Sequence, residues 1–75
     1  MATVKVEDYR RRDDTAEGWE VVVTSYRLGG TWVCEVANAS PGARLVRVEA
    51  QSRERAEHEA QEQASRKLAR TRVLD

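Results

Sequence analysis

The sequence predicts an α+β fold: an antiparallel three- to four-stranded β-meander covered on one face by a single C-terminal α-helix. Two observations carry this expectation. Apolar and polar residues alternate through Trp19–Leu28, Thr31–Ala37 and Ala43–Ala50, the period of strands with one buried face. From Ser52 the period changes: Ala56, Ala60, Ala64 and Leu68 recur every fourth residue, one stripe of an α-helix.

The elements follow in chain order. Thr3 to Tyr9 alternates, with Val4 and Val6 opposite Lys5 and Glu7, and reads as a short strand or extended arm. Arg10 to Gly18 is nearly all polar, with three arginines beside Asp13 and Asp14, and is expected to be a mobile loop. Trp19 to Leu28 is a strand with Trp19, Val21 and Val23 on one face and Glu20, Val22, Thr24 and Tyr26 on the other. Gly29-Gly30 is the turn of a hairpin, because glycine accepts the positive φ that primed turns demand. The return strand, Thr31 to Ala37, sets Trp32, Cys34 and Val36 against Val33 and Glu35. Asn38 to Gly42 has turn composition, and Ala43 to Ala50 sets Val46, Val48 and Ala50 against Leu45, Arg47 and Glu49. The chain is thus one domain: an arm and loop over 1–18, a meander over 19–50 and a helix over 52–70.

Ser52 is a good N-cap, since its hydroxyl can accept from an unpaired N–H of the first turn. Glu54, Glu57, Glu59 and Glu62 crowd the first half of the helix; Arg66, Lys67, Arg70 and Arg72 crowd its end. Both biases suit the helix dipole. Glu62 and Arg66 form an i,i+4 pair worth about 0.2–0.5 kcal/mol. The alanine stripe requires a close approach to the sheet, so core bulk must come from Trp19, Trp32, Val21, Val23, Val36, Val46 and Val48.

One helix covers one face of a sheet. The opposite face is expected to carry Val22, Tyr26, Val33 and Leu45 among charged residues, an apolar patch on neighbouring strands of the kind that marks a partner surface. A domain of 75 residues gains little from its own core, so a second copy or a small protein partner would add buried area. A homodimer through this patch, or edge to edge between strands, is therefore expected.

Nothing in the sequence assembles an active site. Cys34 alternates in phase with Trp32 and Val36 and reads as a small buried hydrophobe. His58 is the single histidine; it shares a helix face with Glu54 and Glu62, which is the makeup of a solvated polar face. No nucleophile elbow or phosphate-binding loop is present. The expectation is a non-enzymatic protein with no cofactor and no bound metal. With one cysteine, no signal-like apolar stretch and no span long enough to cross a bilayer, the expected setting is cytoplasmic and away from membranes.

The formal net charge is zero, so any nucleic-acid site must be a local patch. Two basic sets qualify. Arg27 and Arg47 lie near Tyr26 in the meander, where an aromatic with arginines can stack on bases. Arg53, Arg66, Lys67 and Arg70 lie on the helix, the last three as dipole-complementing cations at its end. Nucleic-acid binding through these six residues is the alternative to protein binding.

Two resemblances bear on this choice. Ser52-Arg53-Glu54-Arg55-Ala56-Glu57, after a hairpin-rich sheet, resembles the second half of a double-stranded-RNA-binding domain at Ser52, Arg53 and Ala56. Glu54 and Glu57 stand where that family places phosphate-contacting lysines, which counts against duplex RNA. Gly29 to about Ala64 resembles HicB-like antitoxins, through the Gly29-Gly30 hairpin, the Trp32-led strand, Pro41-Gly42 and the Ser52-capped alanine-rich helix. That resemblance implies an antitoxin-like regulatory partner: a toxin-binding or oligomerising half, with no DNA-binding helical segment following within these residues.

Overall fold

The computed structural model describes residues 5–40 and 42–73. Four strands, β1 (Val6–Ala16), β2 (Trp19–Leu28), β3 (Thr31–Asn38) and β4 (Arg44–Ala50), precede one helix, α1 (Arg53–Val73). They form one antiparallel sheet in the order β1-β2-β3-β4, and α1 packs on one face of it. The α+β meander with a single covering helix is therefore the architecture. Thr3, Val4, Pro41 and the side chain of Arg72 lie outside the described residues.

The stretch expected to be a loop, Arg10 to Gly18, is instead the longer part of β1. Arg10 to Ala16 pairs without a break against Ser25 back to Trp19. Glu17 and Gly18 form the turn, both with positive φ, at 52° and 80°, as a two-residue primed turn requires. Both faces of this end of β1 are largely solvated, so backbone pairing holds the strand where an apolar pattern does not. Nearer the start of β1, Asp8 and Tyr9 face the single residue Tyr26, a bulge with Asp8 at φ 55°.

The β2–β3 hairpin turns at Gly29-Gly30, and of the two only Gly29, at φ 65°, has a positive φ. After β4, Ser52 caps the helix as expected, its Oγ accepting from the Arg55 N–H at 3.2 Å. Arg66 pairs with Glu62 at 3.2 Å.

The core lies between α1 and the strand residues Val21, Val23, Cys34, Val36, Val46 and Val48. Ala56, Ala60, Ala64 and Leu68 are all buried against them. Three of the four are alanines with no exposed area, so the helix axis approaches the sheet closely and the valines fill the volume between. The helix lies mainly over β3 and β4.

Two residues change place relative to the expected core, one leaving it and one joining it. Trp19 is 41% exposed; it sits at the β1–β2 turn opposite Ala16, in the half of the sheet farther from the helix's main contacts. Leu45, expected on the uncovered face, packs against the core. The register breaks between Val36 and Ala37, so that Ala37 faces Arg44 and Val36 faces Val46. Leu45 is the extra residue, and the bulge reverses its side.

Candidate functional site

The sheet face away from α1 is the candidate surface. Strand alternation and register place Val6, Arg11 and Asp13 of β1 there, with Val22, Thr24, Tyr26 and Leu28 of β2. β3 adds Val33, Glu35 and Ala37, and β4 adds Arg47 and Glu49. The bulge brings Tyr9 beside Tyr26: their rings are 6.4 Å apart and nearly parallel, at 15°. Tyr9 is 62% exposed, a large apolar area left in water.

Polar groups hold this face in shape. The Tyr26 hydroxyl donates to Glu35 Oε2 at 2.8 Å, and Arg44 reaches the other Glu35 oxygen at 3.3 Å. Arg47 pairs with Glu49 on β4. Partial burial, and then the bond to Glu35, raise the Tyr26 phenol above its ordinary pKa, so it stays a neutral donor. Between Tyr9 and the β3–β4 loop is a hollow of about 220 Å³, lined by Tyr9, Arg11, Val22, Thr24 and Ala37 among others.

Of the four residues expected to form the patch, Val22 and Tyr26 are there, half-buried. Val33 faces the same way but is only 1% exposed. It sits in a central strand between Tyr26 and Glu49, whose larger side chains leave a valine no free area. Leu45 belongs to the core. Sequence reasoning misses Tyr9 and Arg11, because the bulge interrupts the alternation that would mark them. The pairing of the two tyrosines is visible only once β1 is known to lie beside β2.

The six basic residues do not come together. Arg27 and Arg53 meet at Trp32 on the helix side, their guanidinium carbons 5.8 and 4.5 Å from its ring centre. Arg27 also pairs with Glu7 and Asp8, at 3.3 and 3.6 Å, and Arg53 donates to the Asp8 carbonyl. Arg47 is on the open face. Arg66, Lys67 and Arg70 are at the far end of α1, with Arg66 held by Glu62 and Lys67 donating to the Leu45 carbonyl at 2.6 Å. The open face itself carries Arg11, Arg44 and Arg47 against Asp13, Glu20, Glu35 and Glu49, so it is not electropositive.

Cys34 has no exposed area, and burial raises its thiol to about 11. It is protonated and out of reach at neutral pH. His58 is exposed and 3.1 Å from Glu62. Among the described residues no three His, Cys, Asp or Glu side chains are grouped to hold a metal ion, and no helix is long and apolar enough to cross a membrane.

Neither family models, nor curated proteins, nor solved structures provide a match to this chain.

Proposed function

We propose that this protein is a non-catalytic interaction module that self-associates through its open sheet face, the occupant being a second copy of the chain. The observation that carries the reading is the exposed Tyr9 lying against Tyr26 on the sheet face away from α1. Apolar area of this kind on a sheet marks a protein contact. The mixed charges support a like partner, since two copies meet without a single-sign field between them.

Four strands spaced ~4.8 Å apart, over about 25 Å of strand, give a face of about 500 Å². Stable interfaces bury ~800 Å² per partner. The expected association is therefore in the micromolar range and reversible. Nucleic-acid binding is the second reading, and the Arg27–Trp32–Arg53 cluster is the feature that favours it. The dispersal of the other basic residues, and a hollow of about 430 Å³ lined by Asp13, Asp14 and Glu20, count against it.

Sedimentation velocity across a concentration series tests the proposal. The wild type should associate, and Val22→Lys and Tyr9→Glu should weaken association at least tenfold while leaving the circular dichroism unchanged. A wild type that stays monomeric throughout removes the reading. Binding to single-stranded oligonucleotides that falls steeply with salt, and is lost on Trp32→Ala, would replace it with the second.

A further inference from the structure

Strand β1 is an edge, and its outer side has no neighbour among the described residues. It is 11 residues long and carries Arg10-Arg11-Arg12 followed directly by Asp13-Asp14. Arg10, Arg11 and Asp13 are exposed and have no ion-pair partner among the described residues. Unpaired charges ordinarily protect an edge from pairing. Here their order matters more than their number, because a block of positive charge followed by a block of negative charge is complementary to itself when reversed.

We propose that β1 pairs antiparallel with β1 of a second copy, about a two-fold axis at Arg12, joining two sheets into one of eight strands. The register follows from geometry. In a continuous antiparallel sheet, residues directly opposite share a face, so the axis must pass through a residue. With the axis at Arg12, Arg11 faces the partner's Asp13 on the open side, and Arg10 faces the partner's Asp14 on the helix side. Each contact occurs twice. An axis at Arg11 would set Arg10 against Arg12 and Asp8 against Asp14. An axis at Asp13 would pair Arg12 with Asp14 on the helix side, but it would set Asp13 against itself and Arg11 against Thr15 on the open side. Only the Arg12 axis pairs opposite charges on both faces.

The local structure suits that register. Arg10 to Ala16 is the unbroken part of β1, and the Asp8–Tyr9 bulge ends the regular stretch just beyond Arg10. The two Arg12 side chains meet at the axis, but each lies 3.8 Å from Asp14 and 3.9 Å from Glu57 of its own chain, which offsets their repulsion. The helix lies mainly over β3 and β4 and so leaves the β1 edge open. The other edge offers less, since on β4 Arg47 and Glu49 already satisfy each other and Lys67 occupies the Leu45 carbonyl.

This contact goes beyond self-association through the open face, because it pairs backbone along the β1 edge; Arg11 and Asp13 meet their partners at the margin of that face, and Val22 and Tyr26 on β2 stay free. It would double the continuous face to about 1,000 Å², above the ~800 Å² that a stable interface takes from each partner.

A charge swap between separately purified variants tests the register. Arg11→Asp places two carboxylates opposite each other across the axis, and Asp13→Arg places two guanidinium groups there. Each variant alone should associate at least tenfold more weakly than wild type. Mixed in equal amounts they should form a one-to-one heterodimer, detected by sedimentation velocity with one variant labelled. In that heterodimer one open-side contact joins two substituted positions of opposite charge, and the other joins the native arginine to the native aspartate. Raised salt should weaken the heterodimer, and Val22→Lys, on β2, should leave edge pairing intact. Variants that each associate like wild type, or a mixture that does not recover the dimer, would overturn the proposal. Association lost in Val22→Lys but unchanged in Arg11→Asp would overturn edge pairing while leaving the open-face contact standing.

Discussion

Ser25 Oγ donates to Glu57 Oε2 at 2.9 Å, joining the fully buried floor of the sheet to the flank of the helix. Ser25 is the buried polar residue on the helix-facing side of β2, and it continues the row of Val21 and Val23. Glu57 also lies 3.9 Å from Arg12, so one carboxylate serves both β1 and β2. Together with Gln61, which donates to Asp14 at 3.2 Å, it ties the helix to the half of the sheet that it covers least. Glu57→Ala should destabilise the domain by about 1–3 kcal/mol in urea unfolding, because the buried Ser25 hydroxyl loses its partner. Ser25→Ala removes both the donor and the need for it, and should cost about 1 kcal/mol or less. Equal losses from the two variants would refute this account.

Val33 and Val22 face the same way but should respond differently to charge. Val33→Lys places an ammonium where almost no area is exposed, and should cost more than about 3 kcal/mol, enough to unfold much of the population. Val22 is half-buried beside the solvated β1, and a lysine there can extend its amine into water. Thermal melts of the two variants should therefore separate clearly, with Val33→Lys lower.

Cys34 should react slowly with a thiol reagent at neutral pH and completely once the chain is unfolded. Its folded pKa, about 11, lies above the unfolded value of 9.0. Between those values the folded state holds a proton that the unfolded state has released. The associated stability is present in full below pH 9.0 and is lost as the pH rises through about 11. In Cys34→Ala the alkaline decline between those pH values should shrink, which unfolding titrations of the two proteins would show.

The alanine stripe tolerates no added volume. Ala60 has no exposed area under the centre of the helix, and Ala60→Leu should cost about 1–3 kcal/mol by forcing the helix off the sheet. Leu68→Ala, at the far end of the same stripe, removes the stripe's one large side chain and should cost about 2–5 kcal/mol. Denaturant midpoints at constant m value provide the comparison.

The two tryptophans should differ as well. Trp19 is largely exposed at a turn, and Trp19→Ala should change stability by less than about 1 kcal/mol. Trp32 packs on the core edge beneath Arg27 and Arg53, so Trp32→Ala should cost about 3 kcal/mol and remove the blue-shifted part of the fluorescence emission.

Much of this architecture is legible in the chain because it rests on local periodicity. Strands β2 and β3 alternate with period two around a glycine turn, and the helix stripe repeats every four residues after Ser52. Each is a pattern that burial on one side imposes directly on the chain. The helix cap, the Glu62–Arg66 pair and the burial of Cys34 follow from the same reading. The candidate surface is half legible: Val22 and Tyr26 follow from alternation, whereas Tyr9 and Arg11 do not.

The features that escape this reading depend on pairing between distant segments. Arg10 to Ala16 is polar on both faces, so nothing in its pattern marks a strand; its backbone bonds to β2 do. The bulge at Asp8–Tyr9 turns the later residues of β1 to the other face, and the bulge at Leu45 sets that one residue on the side opposite to the one alternation gives it. The two bulges bring Tyr9 onto Tyr26 and put Leu45 into the core. Burial of Val33 on the uncovered side depends on the sizes of its cross-strand neighbours, Tyr26 and Glu49, and register alone makes them neighbours. Which segments bury a face is set along the chain, because one-sided burial is written there as a period. Which segments adjoin is set only when the chain folds, because adjacency is a matter of register between strands and leaves no period along either one.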